Sequence, residues 1–164
     1  MFRIKAEYSA QLEVKTTLDR ARAFFGELRN FVDLMPGIEA ISNEANGISR
    51  WLVRAEVPKL GPMRAAFAVE LTEDLPLRIE WSPAQTESKN YLRYAAVFEE
   101  RGAAVLVKIV QRVEMRRKNA KELHLLAGLI GENRISAEMD KRVAEMIRTF
   151  IERARAKLEA QTGK

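Results

Sequence analysis

The last long stretch of the chain, residues 135–160, leaves the fewest options for folding. Its apolar side chains Met139, Val143, Met146, Ile147, Phe150, Ile151, Ala154 and Leu158 recur at steps of three and four. That spacing draws one stripe along an α-helix. Neither Pro nor Gly interrupts the stretch, and Asn133 or Ser136 is placed to cap its start. The other face carries charges of both signs, with Glu138 spaced to reach Arg142, Glu145 to reach Arg148 and Glu152 to reach Arg155. A helix this long has to lay its stripe on a broad apolar surface, and the rest of the chain must supply one.

Residues 3–15 begin that surface. Ile4, Ala6, Tyr8, Ala10, Leu12 and Val14 alternate with Lys5, Glu7, Ser9, Gln11, Glu13 and Lys15, the pattern of a strand with one buried and one wet face. The period then lengthens. Thr16 or Thr17 opens a helical segment carrying Leu18, Ala21, Phe24, Phe25 and Leu28; a second short turn holds Phe31, Val32, Leu34 and Met35 until Pro36-Gly37 stops it. From Ile38 to Met115 the period is two again. The inner faces read Trp51, Val53, Ala55 and Val57, then Met63, Ala65, Phe67, Val69 and Leu71, then Leu77, Ile79 and Trp81. Leu92, Tyr94, Ala96 and Phe98 follow, and last Val105, Val107, Ile109, Gln111, Val113 and Met115. Asn46-Gly47, Arg101-Gly102 and short polar loops join these segments, and such short connections make an antiparallel meander. Residues 123–130 read as a short helix or turn broken by Gly128 and Gly131. The expected class is α+β: a curved antiparallel sheet of about seven strands wrapped around one long C-terminal helix, with two short helices after the first strand. Residues 1–164 read as a single domain.

Composition narrows the function. Hydrophobic residues make up 47% and charged residues 31%, and no apolar run is long enough to span a bilayer. The alternating N-terminus is not a signal peptide, which leaves the cytoplasm as the default location. Without cysteine and with a single histidine, the chain has no disulfide, no thiolate metal site and no His-rich metal centre. His124 reads as a structural or surface residue. No glycine-rich phosphate loop or hydrolase elbow is present, and no cofactor is expected. The net charge of +5 favours anionic partners. The basic run Arg112, Arg116, Arg117, Lys118 and Lys121 reads first as a solvated strand end, next as a peripheral contact with an acidic membrane surface. No aromatic residues interleave it as a single-stranded nucleic-acid platform would require, so no nucleic-acid partner is expected.

This layout, with Leu34-Met35-Pro36-Gly37-Ile38-Glu39 after the short helices and Gly61-Pro62-Met63-Arg64 entering a middle strand, resembles the START-like, or helix-grip, superfamily. Within it the chain is similar to the polyketide cyclase/dehydrase group and to the group of carbon monoxide dehydrogenase accessory proteins. The resemblance covers nearly the whole chain in layout, with one short local motif at residues 34–41. It implies a deep apolar cavity between sheet and C-terminal helix, which relatives use for lipids, polyketides, quinones and hormones. Some relatives are enzymes and many only bind.

Catalysis needs an ionisable group aimed at the substrate, and the inner faces read above contain no Asp, Glu, Lys, Arg or His. No catalytic and no metal-binding residue is assigned. The candidate cavity lining is Tyr8, Trp51, Phe67, Trp81, Tyr94, Gln111, Met139, Val143 and Met146. Gln111 is the sharpest of these, an amide on an otherwise apolar face; it meets a ligand, a tyrosine or the backbone. The expected partner is a hydrophobic or amphipathic small molecule of lipid, polyketide or quinone type. The alternatives are a cyclase/dehydratase-type enzyme that polarises a carbonyl with Tyr8, Tyr94 or Gln111, and an accessory membrane-recruitment protein of the carbon monoxide dehydrogenase type.

Overall fold

The computed structural model describes residues 1–162. β1 (Phe2–Val14) is followed by α1 (Leu18–Phe25), α2 (Leu28–Leu34), β2 (Ile38–Asn43), β3 (Ile48–Val57), β4 (Gly61–Leu75) and β5 (Arg78–Pro83). Then come β6 (Asn90–Arg101), β7 (Ala104–Arg117), a short α3 (Ala127–Ile130) and the long α4 (Glu132–Thr162). The strands form one seven-stranded sheet in the order β1-β7-β6-β5-β4-β3-β2. Every pair is antiparallel. Strands β2 to β7 are the meander that short turns dictate. The helical pair spends the chain that separates β1 from β2, at opposite edges of the sheet.

Local chemistry sets the element ends. The Thr17 hydroxyl accepts from the Arg20 amide at 3.3 Å to start α1. The Glu27 carboxylate accepts from the Arg29 amide at 3.2 Å to start α2. Asn46 and Gly47 both take positive φ in the turn before β3, the conformation that Asn-Gly pairs favour.

The α4 stripe is buried as its spacing requires: Ile135, Ile147, Phe150 and Ala154 are fully covered, and Met139, Val143, Met146 and Leu158 nearly so. The helix begins one turn earlier than its sequence suggests, directly after Gly131 with its φ of 91°. Asn133 and Ser136 therefore lie inside the helix, and neither caps it. Ser136 has another task. Glu132, Ser136, Asp140 and Glu159 accept from the backbone amides of Arg3, Lys5, Glu7 and Lys15 at 2.7, 3.1, 3.0 and 3.2 Å. Those amides point away from β7 on the open edge of β1, so α4 side chains take the place of a missing strand partner.

Three other expectations are corrected. Leu71 is 45% and Leu77 52% exposed. The pairing of β4 with β5 shifts register between Leu71 and Glu73, which breaks the alternation, and Leu77 sits in the turn that follows. On α4, Glu138 approaches Arg142 at 4.0 Å as expected, but Glu145 pairs with Arg142 at 3.0 Å and not with Arg148. Arg148 instead donates to the Tyr8 hydroxyl at 3.1 Å and lies 5.4 Å from the centre of that ring. Among the described residues no ion pair joins Glu152 to Arg155.

Candidate ligand-binding site

The space between the concave sheet and α4 has two unlike halves. One is filled by aromatic rings. Phe31, carried in by α2, lies 5.2 Å from Trp51, 6.0 Å from Trp81, 4.9 Å from Tyr94 and 5.0 Å from Phe150, ring centre to ring centre. Such edge and tilted contacts add to the area each ring buries. The Trp51 indole nitrogen and the Tyr94 hydroxyl are buried in this cluster without a hydrogen-bond partner in the protein. Burial pushes the Tyr94 phenol far above its ordinary pKa, so it stays a neutral hydroxyl.

The other half holds a cavity of about 40 Å³. Val53 and Ala55 of β3, Met63, Ala65 and Phe67 of β4, and Leu92 of β6 line it from the sheet. Gln111, Val113 and Met115 of β7 continue the wall, and Met139, Arg142, Val143 and Met146 of α4 close it. This volume takes a few waters and falls well short of the ~300–1,000 Å³ of a drug-sized pocket. Four of its thirteen lining residues are methionines, whose unbranched, polarizable chains repack at low cost. Two polar groups face the apolar majority. Gln111 is 1% exposed and its side-chain oxygen has no partner in the protein. Arg142 is the one charged residue of the lining, and its Nε is buried and equally unpartnered.

Five of the nine residues expected to line a cavity come together here: Phe67, Gln111, Met139, Val143 and Met146. Trp51, Trp81 and Tyr94 do not, because Phe31 packs among them and fills that end of the sheet. Tyr8 does not either; it is half-buried at the β1 edge under Arg148. Sequence reasoning missed Arg142, which sits three residues after Met139 and four before Met146, at the flank of the apolar stripe. That spacing was the available signal; its pairing with Glu138 hid it.

A surface cleft of about 240 Å³ adjoins the cavity, lined by Pro36, Gly37, Arg54, Ala55, Glu56, Arg142, Glu145, Met146 and Thr149. Ala55, Arg142 and Met146 belong to both. Gly37 brings the chain corner close to this wall: a Cβ there would stand 2.8 Å from the Arg54 carbonyl oxygen and 3.3 Å from the tip of Met146.

The basic run is less free than its sequence suggests. Arg112 pairs with Glu7 at 3.2 Å and Arg116 with Glu114 at 3.1 Å, and Arg116 also lies 4.4 Å from the centre of the Tyr91 ring. The bond from Arg116 holds the Glu114 carboxyl below its ordinary pKa. Arg117 bonds to Asn90 at 2.9 Å. Lys118 and Lys121 stay exposed beside a segment that also exposes Leu125, Leu126 and Leu129. No helix among the described residues is long and apolar enough to cross a membrane.

No family model matches the chain, and no curated protein matches its sequence. Solved structures match its shape. The di-domain aromatase/cyclase StfQ of the steffimycin biosynthetic pathway superposes with a TM-score of 0.66 at 10% identity, over 98% of this chain and 53% of its own. The chain thus spans about half the length of that di-domain protein. The Zhui aromatase/cyclase of a Streptomyces species gives 0.60 at 12% identity over 92% and 93% of the two chains. A START superfamily protein from Mycobacterium smegmatis gives 0.59 at 12% identity over 96% and 97%. The strand order, the helical pair after β1 and the long closing helix make this chain a START-like, helix-grip protein in fold.

Proposed function

We propose that this protein binds an amphipathic, largely apolar small molecule between its sheet and α4. The observation that carries the reading is the methionine-lined cavity with an unpartnered Gln111 amide on its wall. A buried amide oxygen without a partner costs about 1–3 kcal/mol. An occupant that brings a hydroxyl or similar donor recovers that cost, and a pure hydrocarbon does not. Lipid, polyketide and quinone-like molecules have the required character, and the fold is shared with aromatase/cyclases and a START superfamily protein. The binding reading is preferred to a cyclase/dehydratase because the lining holds no carboxylate and no histidine to move a proton. We place the activity in the cytoplasm.

The test is titration with neutral Nile red, followed by its fluorescence, in the intact protein and in Ala65→Phe. Saturable binding that weakens at least tenfold when Ala65 is enlarged is the expected result. A dye that shows no saturable binding, or binds both proteins alike, overturns the reading.

A second reading has its own observation. Leu125 and Leu129 are 80% and 86% exposed, and residues 116–134 carry five basic and two acidic side chains. Exposed leucines ringed by cations suit recruitment to an anionic membrane surface. Sedimentation with phosphatidylserine-containing vesicles, lost in Leu125→Ser/Leu129→Ser, supports it; intact protein that stays in the supernatant at low salt excludes it.

A further inference from the structure

Arg142 stands where the inner cavity and the outer cleft meet. With Ala55 and Met146 it forms the wall common to both. That wall is thin and soft: Ala55 ends at its Cβ, Met146 is flexible, and the glycine at position 37 leaves room at the methionine tip. The guanidinium faces two ways. Its Nη1 donates outward to Glu145 at 3.0 Å, and its Nε is buried without a partner. Its third nitrogen, Nη2, is only loosely held, 4.0 Å from a Glu138 oxygen. Arginine keeps its charge at any ordinary pH, and its Nε and Nη form a planar fork suited to two oxygens of one acid.

Resting on the binding reading above, we infer that the ligand is an amphiphile with a single acidic head, and that Arg142 is its head-group contact. The tail lies among the cavity methionines and the carboxylate, or a comparably acidic oxygen pair, sits on Nε and Nη2 at the wall. Access runs through the outer cleft, past Met146. A neutral ligand of the same length would fill the cavity and leave the buried Nε unpaired, so the site discriminates by charge as well as by shape.

The experiment displaces bound Nile red with dodecanoic acid or with methyl dodecanoate, both below the concentration at which they aggregate. It uses the intact protein, Arg142→Gln, Arg142→Lys and the surface control Lys141→Gln, each checked for an unchanged thermal melt. The intact protein and Lys141→Gln should bind the acid about tenfold or more tighter than the ester. Arg142→Gln should lose that preference by weakening the acid and leaving the ester within about twofold, and Arg142→Lys should retain part of it. Equal binding of acid and ester by the intact protein overturns the assignment of Arg142 while the binding reading stands. A preference that survives in Arg142→Gln does the same. Failure of the intact protein to take up Nile red or either competitor removes both.

Discussion

Single residues in this protein set local balances that can be measured one at a time. Gln111 faces Tyr8 and Tyr94 across its two neighbouring strands, yet its amide oxygen bonds to neither. Gln111→Leu should therefore raise the stability of ligand-free protein by ~1 kcal/mol, since it removes an unpaired polar atom and keeps the volume. Urea unfolding reads the effect, and a loss of stability would mean the amide is satisfied after all. Glu87 shows the opposite economy. Its carboxylate accepts from the amides of Ser88, Lys89 and Asn90 at 3.1, 3.0 and 3.1 Å and from Ala68 at 3.4 Å. Partial burial pushes its pKa up, but the amides of Asn90, Lys89, Ala68 and Ser88 outweigh it and leave the pKa below the ordinary value. A carboxyl whose pKa is depressed in the folded state stabilises the fold above its unfolded pKa of about 4.3, and that contribution is lost as pH falls through the folded value. Glu87→Gln should thus cost ~1 kcal/mol near pH 7, a figure kept small by solvent exposure, and the gap to the intact protein should close below about pH 4. Denaturation midpoints measured from pH 7 to pH 3 check both the size and the sign.

Helix α4 both covers the core and closes an edge, and the two tasks have different sequence signatures. The core task follows from the spacing of Met139, Val143, Met146, Ile147 and Phe150, and it was legible. Phe150→Asp should abolish folding, because an unpaired carboxylate would enter a fully buried site beside Phe25 and Phe31. Glu152→Ala, on the exposed side, should shift stability by no more than ~0.5 kcal/mol. Soluble expression and thermal melts separate the two, and equal effects would refute the phase of the helix. The edge task was not legible. Glu132, Ser136 and Asp140 repeat every four residues, but only the path of α4 along β1 shows which backbone amides they meet. Before the fold is known, Ser136 reads as a helix cap, a local role that uses the same hydroxyl. Asp140→Ala should cost ~1 kcal/mol, as a lost charge-assisted bond, while Lys141→Ala one position on should be nearly neutral. Leu71 and Leu77 misread for a related reason. Alternation carries a side chain inward only while the register holds, and the shift after Leu71 is written in the pairing of β4 with β5, not in either strand alone.

At the scale of the whole molecule, capacity for a ligand is decided by how much of the interior the chain fills itself. Long alternating strands and one amphipathic helix announce a sheet wrapped around a helix, and small inner residues such as Ala55, Ala65 and Ala96 suggest space beneath it. Only Ala55 and Ala65 border the cavity. Ala96 is fully buried outside the cavity lining. The interior is divided by Phe31, a residue of α2 that reaches between Trp51, Trp81, Tyr94 and Phe150, and no pattern within α2 foretells contacts with four segments distant in sequence. Phe31 thus acts as a plug between a filled aromatic half and a methionine half with room. Phe31→Ala removes a fully buried ring and should cost about 3–5 kcal/mol, with the spread set by how far the four neighbouring rings collapse. If they hold their places, the new void joins the unpartnered Tyr94 hydroxyl and Trp51 indole to an apolar wall, a setting that takes an aromatic guest with one polar atom. The variant should then bind 1-naphthol saturably while the intact protein does not, and the guest should return part of the lost melting temperature in proportion to its occupancy. A destabilised variant that binds no more naphthol than the intact protein would mean that the rings close over the gap, and that the aromatic half is core and nothing else.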